Sequence, residues 1–75
     1  MSPAQCRAAR ALISWSQSFL AEAADLGLST IVDFELGRRE VSEGARQAIR
    51  DALESAGIIF IDENGEGPGL RLRKR

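Results

Sequence analysis

The sequence predicts a mainly α domain: four helices, closed by a C-terminal β-hairpin or pair of strands. Two observations predict it. Up to residue 57, apolar residues recur at helical spacing, and each such stretch has a serine at its start. After residue 57 the pattern changes. Ile58-Ile59-Phe60-Ile61-Asp62 is β-branched and aromatic, and Leu70-Arg71-Leu72-Arg73 alternates apolar with basic, the period of a half-buried strand.

Each element has its own signals. Ser2-Pro3-Ala4-Gln5 starts the first helix: Ser2 can cap, Pro3 suits the first helical position, and Gln5 can reach back to close a capping box. Cys6, Ala9 and Ile13 then share a face, and the helix is expected over Pro3 to Ser14. Ser16 caps a second helix from Gln17, with Leu20, Ala21 and Ala24 as its apolar side. Asp25-Leu26-Gly27 breaks it, because aspartate tolerates left-handed backbone and glycine more so. Ser29 or its neighbour caps a third helix to about Leu36, with Ile31 and Phe34 on one face and Gly37 just past its end. After the charged loop Arg38 to Val41, Ser42 opens a fourth helix ending near Ala56, with Gly57 as its stop. Ala45, Ala48, Ile49, Ala52 and Leu53 form its stripe, and Gly44 weakens its first turn. Glu63 to Gly69, with three glycines and a proline, forms the turn of the hairpin.

Composition bounds the function. Seventy-five residues make one small domain, which buries only about 60% of its unfolded surface and has a marginal core. A formal charge of −1 gives no overall bias toward nucleic acid, so any such argument must rest on where the charges lie. With one cysteine and no histidine, neither an internal disulfide nor a zinc site is expected, and no cofactor is implied. Apolar runs are far shorter than the roughly 20 residues of a membrane span, and no signal peptide is apparent. A soluble cytoplasmic protein is expected. An enzyme is not, since Cys6 has no base beside it and no paired carboxylates suggest a pocket.

Residues 16–37 read as two short helices around a tight turn, the pattern of a helix-turn-helix that lays its second helix in the major groove of DNA. Ser16-Gln17, Leu20-Ala21, Ser29-Thr30-Ile31, Phe34-Glu35 and Gly37 stand in register. On these residues the stretch from Arg10 to Arg39 resembles the phage-repressor (Cro/XRE-like) helix-turn-helix family. The resemblance implies a repressor-like domain over 1–57 and a transcriptional regulator, in the first instance a repressor, bound to operator DNA as a homodimer.

Leu20, Ala21, Ile31 and Phe34 lock the two helices and speak for the fold only. The resemblance implies that Gln17 meets the DNA backbone through its amide at a helix N-terminus, with Thr30, Arg38 and Arg39 as further phosphate contacts. It also implies a partly buried salt bridge between Arg10 and Glu35. Leu28, Ser29, Val32 and Asp33 point away from the core and would face bases. Leu28 and Val32 offer only apolar contact, for instance to a thymine methyl, while Asp33 either accepts from a cytosine amino group or pairs with a nearby arginine. Residues 58–75 are expected to serve dimerisation through Ile59, Phe60, Ile61, Leu70 and Leu72, because a lone hairpin is marginal in water. The basic tail Arg71, Arg73, Lys74 and Arg75 would then either reach DNA or guard a strand edge. A second reading keeps the scaffold but makes it a protein-interaction module, such as an antitoxin or adaptor. The acidic net charge, Leu28 and Val32 favour it.

Overall fold

In a computed structural model, which describes residues 1–62, 65 and 67–73, the chain forms helices α1 (Pro3–Ile13), α2 (Gln17–Ala24), α3 (Leu28–Leu36) and α4 (Glu43–Ser55), then strands β1 (Ile58–Ile61) and β2 (Gly69–Leu72). The strands pair antiparallel, with Ile58 opposite Leu72 and Phe60 opposite Leu70. Glu63, Asn64 and Glu66 of the expected turn, and Lys74 and Arg75 of the basic tail, lie outside the described residues. No helix among the described residues is long and apolar enough to cross a membrane.

Local chemistry accounts for the helix boundaries. Ser2 and Gln5 close a reciprocal capping box, Ser2 Oγ accepting from the Gln5 amide at 3.1 Å and Gln5 Oε1 accepting from the Ser2 amide at 2.8 Å. Ser16 and Ser42 cap α2 and α4 with a single bond each, accepting from the amides of Phe19 and Ala45. The first helix stops one residue earlier than expected, because Ser14 turns left-handed at φ 58°. Asp25 ends α2 at φ 56°, a conformation that aspartate adopts more readily than most residues.

The expected cap of the third helix, Ser29 or its neighbour, is corrected. Gly27, with extended φ −71° and ψ 149°, occupies the cap position, α3 begins at Leu28, and no side chain among the described residues caps it. The short turn from Asp25 consumes only one residue before the helix must start, so Ser29 falls inside the first turn instead of before it.

The helices enclose one core. Cys6, Ala9, Leu20, Ile31, Ile49 and Leu53 are fully buried, and Ala21, Phe34 and Val41 nearly so. Fully removing a Leu or Ile side chain from water contributes about 1.5–3 kcal/mol, so these few residues carry most of the stability of so small a domain. The hairpin shares this core instead of standing outside it. Ile58 is buried among the helical residues, while Phe60 and Leu70 pack against the same cluster. Gln5 Nε2 donates to the carbonyls of Gly69 at 2.9 Å and Ile61 at 3.4 Å, pinning the end of the hairpin to α1. On the other side, the Arg50 guanidinium of α4 lies over the Phe60 ring, 5.3 Å from its centroid.

Candidate nucleic-acid interface

Ile31, Phe34 and Glu35 form the buried face of α3. Ile31 and Phe34 belong to the apolar core with Leu20 and Ala21 of α2, and this sets the two helices against each other. The alanine at 21 keeps them close.

Glu35 is the one charged member of that face, with 1% exposure of its side chain. Its carboxylate is fully partnered. Arg10 grips it with two nitrogens, Nε at 2.6 Å and Nη2 at 2.7 Å, the planar fork that arginine presents to a carboxylate. The Cys6 thiol donates to Oε2 at 3.2 Å and the Gln17 amide to Oε1 at 3.1 Å. Arg10 also donates to the Trp15 carbonyl at 3.0 Å, and Arg7 to the backbone carbonyl of Glu35.

The electrostatics follow from this geometry. Burial pushes the Glu35 carboxyl up, but the hydrogen bonds from Arg10, Cys6 and Gln17 and the charge of Arg10 outweigh it and hold the group below the usual carboxylate range. The hydrogen bond to Glu35 raises the Arg10 guanidinium further. Burial first, and then the neighbouring carboxylate, push the Cys6 thiol far up, so it stays neutral and unreactive. The Arg10–Glu35 pair thus ties α1 to α3, and Gln17 adds the first residue of α2.

Gln17, expected at the DNA backbone, also has a structural partner. Its amide Nε2 is turned inward onto Glu35 and is not simply presented to solvent. The loop after α3 is more committed than the sequence suggests, too. Asp33 Oδ2 accepts from Arg39 Nε at 2.9 Å, and Oδ1 lies 4.0 Å from Arg38 Nη1. Of the two open readings of Asp33, the structure contains the arginine pair. The side chains of Arg38 and Arg39 nevertheless remain 66% and 54% exposed.

The outward side of α3 carries Leu28, Ser29, Val32 and Leu36. Leu28 is 47% exposed and Leu36 is 59% exposed, while Val32 is half-buried. Thr30 is half-buried in the first turn. Leu36 is a member that reasoning from sequence missed. The signal is there, since Leu36 lies four residues beyond Val32, but the same residue also marks the end of the helix. Arg46 was missed as well. It lines, with Arg39, Glu40 and Gly37, a cavity of about 480 Å³ beside the end of α3, and its Nε is buried without a hydrogen-bond partner among the described residues.

The residues expected at a dimer interface divide. Phe60 and Leu70 pack inward against their own core, Ile59 is half-buried, and Ile61 and Leu72 stay 39% and 47% exposed. The hairpin docks on α1 and α4 through the face that carries Ile58, Phe60, Leu70 and Leu72, with Leu72 at its exposed end, while Ile59 and Ile61 lie on the opposite face. Trp15 is half-buried, packs against the edge of the core cluster and meets the exposed Phe19 at a tilt, ring centroids 4.7 Å apart. No family model and no curated protein matches this chain.

Proposed function

We propose that the chain is a sequence-specific DNA-binding transcriptional regulator, a cytoplasmic repressor that binds operator DNA as a homodimer. One observation carries the reading. α3 is fixed against α2 through a short turn, its outward side has no polar partner among the described residues beyond the Asp33–arginine pairs, and two largely exposed arginines follow it. A helix held in this way can enter a major groove while the arginines meet the phosphates beside it. The start of α3, without a side-chain cap, leaves first-turn amides to favour phosphate as well.

The hairpin supports the homodimer. Arg73 N–H donates to the Gly57 carbonyl at 2.7 Å, which sets the ladder so that the peptide groups of Leu70 and Leu72 point away from β1. An edge of this kind, with Leu72 exposed on it, suits pairing with a second copy.

A gel-shift at low salt tests the reading. The Arg38→Ala/Arg39→Ala double variant loses retention of every duplex alike, whereas a change at Ser29 or Val32 alters which duplexes are retained. Unchanged retention in both variants contradicts the assignment. The second reading, a protein-interaction module such as an antitoxin or adaptor, draws on the exposed Leu28 and Leu36. It predicts co-purification of a partner protein with no affinity for duplex DNA.

A further inference from the structure

We infer that the outward face of α3 reads thymine methyl groups, so that the preferred half-site presents thymines in its major groove. The inference rests on the DNA-binding reading and goes further, because it names what is read. Leu28, Val32 and Leu36 follow one another at four-residue spacing and so form one ridge along the helix. Leu28 and Leu36 are about half exposed and Val32 half-buried, so the ridge meets whatever the helix meets.

Few side chains of α3 can read a base by hydrogen bonds. The nine residues of α3 include no Arg, Lys, Asn or Gln, so neither the bidentate pair that reads guanine nor the one that reads adenine is available. Asp33, which could take a cytosine amino group, is held by Arg39 at 2.9 Å. Ser29 keeps its hydroxyl, but a hydroxyl serves either donor or acceptor and discriminates weakly. The thymine C5-methyl is the one apolar feature on a major-groove base edge, and an apolar ridge is what complements it.

DNA also fits the ridge better than a protein partner. The ridge runs toward Arg38 and Arg39, which suit a polyanion beside an apolar surface. Three side chains on one helix are few for a protein interface, which buries about 800 Å² per partner.

The test uses the duplex best retained from a randomised pool, resynthesised with deoxyuridine in place of thymidine at one position at a time. Base pairing is kept and only the methyl is removed. At positions that α3 touches, the affinity of the full chain falls about fourfold per methyl, the equivalent of about 0.8 kcal/mol. In Val32→Ala or Leu28→Ala protein, checked as folded by circular dichroism, the penalty at the matching position disappears. Equal affinity for thymidine and deoxyuridine duplexes at every position overturns the thymine inference and leaves DNA binding standing. A retained duplex without thymines in its common motif does the same. Retention of no duplex at all overturns both.

Discussion

Glu35 accepts from Arg10 through two nitrogens, from Cys6 and from Gln17, and it is almost wholly withdrawn from water. A buried pair of this type contributes little net stability when intact, but removing one partner strands the other's charge. Glu35→Ala and Arg10→Ala are each expected to destabilise the fold by about 3–5 kcal/mol in urea titrations, with the double variant losing less than the sum. The pH dependence has two limbs. Glu35 is held low, so its contribution is present above the ordinary carboxylate value of about 4.3 and is lost as pH falls through its folded value. Cys6 is held high, so its contribution is complete below the ordinary thiol value of about 8.5 and is lost as pH rises above it, by up to about 1.4 kcal/mol per pH unit. Stability curves should therefore fall on both sides, with Glu35→Gln flattening the acid limb and Cys6→Ala the alkaline one. At this scale the residue types were legible, since Arg10 and Glu35 stand in register with a known pattern. The inward turn of Gln17 was not, because a bond between positions 17 and 35 leaves no trace in local periodicity.

α4 shows how far a local signal carries. Ser42 caps it and it begins at Glu43 despite Gly44 in its first turn. A Cβ added at Gly44 meets nothing within 4 Å, and its backbone is helical, so Gly44→Ala should stabilise the protein by about 0.5–1 kcal/mol in thermal melts. α3 shows where such signals mislead. Serine and glycine are both acceptable caps, and only the tight turn at Asp25, φ 56°, decides that Gly27 takes the position and Ser29 does not. The hairpin is visible from its two strand patterns, yet its docking is not. Gln5 reads as half of a capping box, and it is, but its side-chain amide also holds Gly69 and Ile61. Gln5→Ala should speed hydrogen exchange of the Ile59 and Arg71 amides and leave those of α2 unchanged, which hydrogen-exchange NMR can read.

As a whole, the molecule places its charges more tellingly than its sum suggests. A net charge of −1 conceals an arginine pair beyond α3, and it conceals that Asp33 and Glu35, the two acids on that helix, are both engaged by arginines. The slope of log affinity against log salt for duplex DNA should be shallow, and Arg38→Ala/Arg39→Ala should reduce it by roughly 0.9 for each phosphate that is no longer neutralised. In the proposed dimer, the exposed Leu72 and the outward peptide groups of β2 are where a second copy joins. In the proposed complex α3 reads duplex DNA in a symmetric pair, and binding selection from randomised duplexes puts this to the test. The expected result is an enriched palindrome with half-sites about 34 Å, or one helical turn, apart. Failure of any motif to emerge from a pool that is retained no better than background would contradict it.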